Sequence, residues 1–542
     1  MSEATDIIAR VDQLQNFWAP RSMKLQAWYQ MIQLQNNLHQ DKMESVISSD
    51  PRTGFNMARF LLQPKTTKFV MDTDGFTQPQ IDSAGRVEAY ADRQLLKTIR
   101  RQRTNAKGTL LKRLTGLMLA TGWYAMISFP TDKGWWWEVW NPASIFPEYS
   151  ADGDLVAVGR KYNVTGQEAN AKTMLSGWSR PSIPYNNRTT YAVRNIWELH
   201  PAGVVHGVTI GHNIAKPRTL TGFQNIPIIT GPCAGLPDDG SIMQDDQWKA
   251  EIGASLVAPI MDVQHNYNKM LTYLQQLLRD TANPRWVERV QQGGVVTPDN
   301  LYERGAVYTI EPGEDIWAVQ PPGLPAEFRG HQFDLRSQTQ RGLFSDITFG
   351  NITSQVSGFL MNQVTAAAKQ NLDPFHSAQQ DALGETATRN VSQMQLYGMN
   401  MGGSPVPSLP EETHLDFKYD IEIPGDFIQR ASAARVLNPN FKLSPDTLYD
   451  VLFPEVANAT REMGKVRTAD ALESPHFKQV FIIHELSTAA RQAQDAGDDE
   501  LTDILQNALE AATGELESFA SGPEGAPNTT LPEEVREVQQ GR

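Results

Sequence analysis

Between Leu256 and Arg279 the chain reads LVAPIMDVQHNYNKMLTYLQQLLR, and this stretch limits the fold more than any other. Its large apolar residues, Leu256, Ile260, Val263, Tyr267, Met270, Leu274 and Leu277, recur at alternating steps of four and three. That spacing is the seam of a heptad helix, roughly 36 Å long at 1.5 Å per residue. Pro259 falls about one turn after a start at Ser255, where the first amides of a helix have no intrahelical acceptor. The stretch has few charges and many amides: Gln264, Asn266, Asn268, Gln275 and Gln276. Alone it would read as a core helix. It runs, however, into a proline-rich, β-like insertion (Pro284–Pro325) and then into a second, polar helix (Glu327–Leu343). The pair reads as a helical strut that carries a small module away from the main body.

Bulk properties exclude several classes. The 542 residues leave room for several domains. A net charge of -14 argues against general polyanion binding, so contact with nucleic acid needs local positive charge or must proceed without attraction. The single cysteine, Cys233, permits neither an internal disulfide nor an all-cysteine metal cluster. No apolar run reaches the roughly 20 residues that span a bilayer. The opening MSEATDIIARVDQ lacks the basic-then-apolar order of a signal peptide. A soluble, unexported chain with no membrane partner is expected, folded inside the cell.

Residues 5–38 alternate at helical spacing around Phe17, Trp18, Trp28 and Tyr29, with Pro20 dividing two helices. Asn56–Leu62 resumes as helix, and Lys68–Thr73 reads as a short strand. Residues 80–121 predict two long helices, and Lys97, Arg100, Arg101, Arg103, Lys107, Lys112 and Arg113 gather around their junction. A solvated helix end attracts cations through the macrodipole; a docking face for an acidic partner is the functional alternative. Gly122–Phe129 predicts a strand. The run through Trp135, Trp136, Trp137 and Trp140 to Asn163 predicts an antiparallel unit with turns at Asn141-Pro142 and Asp152-Gly153. These tryptophans fit a β core or a subunit contact better than a base-stacking platform. Residues 164–190 read as a polar loop. His200, His206 and His212 would share a face of one ideal strand, but Pro201, Gly203 and Gly207 break such a strand, so no metal site is expected. DITFGNITSQVSG (Asp346–Gly358) is a small, polar, almost uncharged loop, followed by a long helix over Phe359–Asn400 kinked at Asp373-Pro374. Gly402–Glu412 reads as a linker and His414–Ile423 as an alternating strand. Ser444-Pro445 opens a capped helix, and 476–512 forms one or two helices about Gly497.

No GxxxxGK[ST], GxSxG or HExxH motif is present, and no pair of cysteines exists for CxxC. Cys233, in the turn GPCAG, reads as a buried small side chain rather than a nucleophile. No catalytic, cofactor or metal residue is expected, and the chain is read as a non-enzyme. A hydrolase using carboxylates in no recognised pattern and a cytoplasmic α/β binding protein stay open as readings of the residues.

The order of elements resembles the portal protein, or head-to-tail connector, of tailed double-stranded DNA bacteriophages. GTLLKRLTGLMLATGWYAMISF followed by NPASIFPEYSADGDLVAVGRKYNVT is similar to the helix and β-unit of the portal wing. FKLSPDTLYDVLFPEVANATREMGKV resembles the approach to the helical crown, while the polar stretch 164–190 has no counterpart. The resemblance implies an α+β, mostly helical portal fold that assembles as a ring. Its parts would be a wing (1–240), a first stem helix region (241–283) carrying the seam, a clip (284–326), a second stem helix (327–345), a tunnel loop (346–358), a long wing helix and return strand (359–426), a helical crown (427–512) and a disordered tail (513–542). It implies a homo-oligomer of twelve subunits at a unique vertex of the virion, assembled in the host cytoplasm and lacking a cofactor. Double-stranded DNA would pass through the channel. The terminase large subunit would dock on the clip during packaging, and head-tail adaptor or tail proteins later; major capsid protein and scaffold would surround the wing. In that frame Thr348, Asn351, Thr353, Ser354 and Gln355 are expected at the narrowest point. An uncharged loop there spares DNA the phosphate contacts that would hold it. The basic cluster from Lys97 to Arg113 is expected to face capsid or scaffold. A capsid-associated or scaffold-like assembly protein without a DNA channel is the structural alternative to this reading.

Overall fold

The computed structural model describes residues 2–35, 45–64, 67–73, 76–104, 106–175, 177–179, 181, 184–237, 246–282, 285–289, 312–313, 315–319, 326–344, 358–401, 403–407, 413–419, 421, 466, 475–496 and 499–520. The chain divides into two units, Met1–Pro424 and Gly425–Arg542.

In the first unit, α1 (Glu3–Phe17) starts at Ser2, whose hydroxyl accepts from Thr5 N at 3.4 Å. α2 (Ala19–Ile32) follows after Trp18 with Pro20 in its first turn, where a missing N–H costs nothing. Next come α3 (Asp50–Leu61), β1 (Lys68–Met71), α4 (Gln78–Arg101) and α5 (Leu110–Thr121). α4 opens with a capping box between Thr77 and Gln80. α5 ends at Gly122, which is left-handed (φ 67°) and lies against the Ala254 backbone, so only glycine fits.

β2 (Trp123–Thr131) and β3 (Gly134–Val139) form one hairpin; β4 (Ile145–Tyr149) and β5 (Leu155–Thr165) form the next. The expected loop at 164–190 is corrected in part, because α6 (Gly166–Leu175) lies within it. The cause is a capping box: Thr165 N donates to Glu168 Oε2 (2.9 Å), and Glu168 N donates to Thr165 Oγ1 (3.3 Å). β6 (Thr190–His200), β7 (Gly203–Ile210) and β8 (Asn213–Leu220) complete a five-stranded antiparallel sheet, ordered β4-β5-β6-β7-β8. α1 lies across it through buried Ile7, Val11 and Leu14. On the same helix Arg10 reaches Glu148 and Glu198, while Asp12 accepts from Lys161 (2.9 Å) and Arg194 (3.1 Å). β9 (Ile228–Pro232) joins a second sheet, ordered β3-β2-β9.

α7 (Trp248–Glu251) is one turn. The expected helix start at Ser255 is corrected: α8 covers Met261–Ala282, preceded by a 3-10 turn at Ala258–Ile260 that holds Pro259. The reason is tertiary. Ala254 N donates to Cys233 O (2.9 Å) and Leu256 N to Leu119 O (3.0 Å), which ties the approach to α8 to α5 and to the segment after β9. β10 (Arg285–Arg289) and β11 (Asp315–Val319) pair antiparallel. LYERGAVYTI, which reads in the sequence as a further short strand between them, lies outside the described residues. α9 (Ala326–Gly342) and α10 (Gly358–Leu396) follow, and α10 runs through Pro374 as one continuous helix. The linker at 402–412 opens with a two-residue hairpin, β12 (Asn400–Met401) and β13 (Ser404–Pro405). β14 (Leu415–Lys418), shorter than the expected strand, pairs with β1.

One core cluster runs through α1–α5, β2, β3, α10 and β14, with Trp123, Trp137, Phe69, Phe417 and Leu114 among its most enclosed side chains. α4 closes the open edges of two sheets. Glu88 and Asp92 accept from Met71 N (2.8 Å) and Phe69 N (3.0 Å) of β1. Gln94 accepts from Trp135 N (3.2 Å), and Gln102 donates to Trp137 O (3.1 Å) of β3.

In the second unit, the described residues form two helices that pack together, α11 (Pro475–Ala496) and α12 (Asp499–Ala520). Because α12 continues to Ala520, the disorder expected from 513 does not begin there. Phe481, Ile482, Leu501 and Ile504 are exposed on this pair.

Candidate assembly surfaces

α8 and α9 stand side by side and antiparallel. Gly342, at the end of α9, meets Ile260 just before α8, and the β10–β11 pair bridges the opposite ends. Their shared core is thin: Tyr267, Met270 and Leu335 are buried, with Val263, Leu271 and Phe328 partly so. The seam residues divide accordingly. Leu256 and Ile260 belong to the main core and precede the helix, Val263, Tyr267 and Met270 face α9, and Leu274 and Leu277 are half-buried toward the far end. Other large apolar side chains have no cover: Tyr273 and Leu278 on α8 are about half exposed, and Phe333 on α9 is 74% exposed. On the hairpin, Val287 and Trp317 sit directly opposite each other and both are exposed.

A polar ladder that the sequence reading left unassigned fixes α8 on another side. Gln264, Asn268 and Thr272, one turn apart, are all buried. Asn268 Oδ1 accepts from Gln264 Nε2 (3.2 Å) and from Ser48 N (3.0 Å), and Thr272 Oγ1 accepts from Val46 N (3.0 Å). The amides seen in the sequence thus hold the strand-like approach to α3 against the strut. Their spacing of four was the available signal.

The candidate channel residues Thr348, Asn351, Thr353, Ser354 and Gln355 lie outside the described residues. Before them, Leu343 and Phe344 are buried, and Leu343 O accepts from Asn371 on α10 at 3.1 Å.

The basic cluster is split by the fold. Lys97 turns to the β2–β3 turn and donates to Lys133 O at 2.6 Å. Arg100, Arg103 and Lys112 are exposed. Arg101, Lys107 and Arg113 line a cleft of 270 Å³ with Trp136, Trp137 and Glu138. Arg101 covers one face of Trp136 at 4.9 Å. Burial pushes the Arg113 guanidinium down from its ordinary value, and Glu138 opposes that shift. Arg160 on β5, which the sequence reading did not single out, lies over Trp140 at 3.8 Å and Tyr162 at 4.4 Å; burial lowers it to about 10.

No known protein family matches the chain, and no curated protein does. Among solved structures it is similar to a chain from the neck of an empty gene transfer agent particle computed with C6 symmetry, at 12% identity, covering 75% of this chain and 90% of that one, TM-score 0.43. It is also similar to a chain from the virion of a native gene transfer agent particle, at 13% identity, covering 74% and 89%, TM-score 0.42. A third, from the neck of the native particle computed with C12 symmetry, has 12% identity, coverage of 74% and 89%, and TM-score 0.40.

The remaining candidates are structural. His200 ends β6, His206 is on β7 and His212 is in the turn before β8. His206 stacks on Trp197 (3.9 Å between centroids) and its Nδ1 lies 3.0 Å from Lys216 Nζ; burial, then the lysine charge, pushes it down to about 3. Trp135 and Trp137 stack at 5.6 Å inside the core. Cys233 is buried, and burial pushes its thiol up, away from the thiolate a nucleophile needs. Among the described residues no three His, Cys, Asp or Glu converge as a metal would require, and no helix is long and apolar enough to cross a membrane.

Proposed function

We propose that the chain is a portal-like subunit that assembles with copies of itself into a ring around a DNA channel. One observation carries this reading: a two-helix strut whose apolar residues outnumber what the helices bury against each other, with Phe333, Tyr273 and Leu278 left in solvent. Large apolar groups at such exposure call for a partner. A head-to-tail contact between copies, which uses two different faces, supplies one and closes into a ring. The order of elements in the sequence, strut, hairpin, returning strut, uncharged loop and long helix, supports the same assignment.

In this proposal α8 and α9 form the stem, and the β10–β11 hairpin with its exposed Val287 and Trp317 is the clip that receives the terminase and later the adaptor or tail proteins. Twelve copies form the ring, at one vertex of the virion. Thr348, Asn351, Thr353, Ser354 and Gln355 border the DNA path, and the basic cleft faces capsid or scaffold. The work is mechanical, not enzymatic. Electron microscopy of the purified chain tests it: the expected particle is an annulus with an opening wide enough for a duplex, roughly 20 Å across. Compact particles without an opening would favour an assembly protein that has no channel. Replacing Thr348 and Ser354 together by lysine is expected to slow packaging or impair genome retention; unchanged packaging and retention would remove the loop from the channel.

A further inference from the structure

Arg113 on α5 and Arg160 on β5 both lie in the field of one carboxylate. Arg113 is half-buried and lines the 270 Å³ cleft, and its guanidinium makes no hydrogen bond or ion pair with the described residues. Arg160 is flattened over Trp140 and Tyr162, and its buried Nε has no hydrogen-bond partner. Glu138 favours the charge on both, and Arg113 disfavours the charge on Arg160. Trp137, which lines the same cleft, has a buried indole N–H without a partner. Desolvated cations and donors cost free energy until something pairs with them. At the lip stand Lys107 and the Arg101–Trp136 pair, and Arg100, Arg103 and Lys112 extend the positive field outward.

We propose that this cleft receives an aspartate or glutamate side chain from an acidic segment of a partner protein, seated beside Glu138 and in reach of Arg113. The planar fork of Arg113 suits a carboxylate, and the field of Arg160 adds to it. Nucleic acid fits less well. The cleft has the volume of one or two side chains, one face of Trp136 is already taken by Arg101, and Glu138 would repel a continuous line of phosphates. The inference rests on the proposed outward role of the basic cluster but not on ring formation.

The test is fluorescence anisotropy of a labelled polyglutamate peptide with the full chain, with single-stranded DNA and inorganic phosphate as competitors, and particle size recorded on the same samples. Arg113→Gln is expected to weaken peptide binding about tenfold, the loss of one charge-assisted contact. Arg113→Lys should fall between. Glu138→Gln, which removes the resident competitor, is expected to tighten binding. Arg103→Gln and Lys112→Gln, at exposed positions, should change it by about twofold. Equal losses at Arg113 and Arg103, no gain from Glu138→Gln, or DNA binding that is tighter than and displaces the peptide would each overturn the proposal. Rings without this pattern defeat the cleft alone; the pattern without rings defeats the portal reading and leaves the cleft standing.

Discussion

Trp123, in the body, is 1% exposed; Phe333, on the strut, is 74% exposed. Both are large aromatic residues of one unit, and the contrast holds more widely. The body encloses Trp123, Trp135 and Trp137 in its core, and even the open backbone edges of two of its sheets are met by side chains of α4. The strut has three buried apolar residues at the centre of its helix pair and large ones outside it. The body completes its packing within a single chain. The strut leaves it to another molecule.

The largest effect should come from breaking the body. Trp123→Ala removes a fully enclosed ring and should cost about 3–5 kcal/mol, read as a lower urea midpoint; an unchanged midpoint would mean that the body is not the self-sufficient region. Asn268→Ala acts where strut and body meet. It leaves Ser48 N–H and Gln264 Nε2 without their acceptor and should cost about 1–3 kcal/mol, with faster amide exchange near Ser48. A loss confined to the far end of α8 would contradict the clamp.

Asp92 gives the body a pH signature. Burial, reinforced by Glu88 and opposed by the Phe69 N–H and Lys68, lifts its carboxyl to about 6. A folded value above the unfolded one means that the folded chain holds the proton more tightly. That stabilisation is complete below the unfolded value and lost as pH rises through about 6. Wild type should therefore gain melting temperature relative to Asp92→Asn as pH falls from about 7 to about 4; a constant gap would show that Asp92 is solvated. The smallest effect on stability is expected at Phe333→Asp, within about 0.5 kcal/mol as for other exposed sites. The same variant should abolish multimers in light scattering. Intact multimers, or a destabilised monomer, would erase the distinction between the two regions.

Much of the body was legible because its signals are local. Pro20, Asp152-Gly153 and the alternation after Trp135 place helices and turns from neighbouring residues alone. Thr165 and Glu168 carry an equally local capping signal for α6, set in a stretch whose polarity otherwise reads as loop. The start of α8 was misplaced for a different reason. Leu256 and Ile260 continue the heptad spacing, but hydrogen bonds to Cys233 and Leu119 claim the backbone there, and no periodicity reports bonds between segments so far apart in the sequence. The basic cluster shows the same limit. Seven charges near one junction looked like one patch; the fold sends Lys97 to the β2–β3 turn and brings Arg160 in from a distant strand.

The ladder of Gln264, Asn268 and Thr272 has a mechanical consequence. Apolar surfaces can slide past each other with little change in energy, because dispersion has no preferred direction. Directional bonds to Ser48 and Val46 do not permit that: a displacement of α8 by a single residue would strand both amides at once. Load applied along the strut would therefore meet a toothed stop at its base, and axial force would pass into the N-terminal helices instead of being lost as slip.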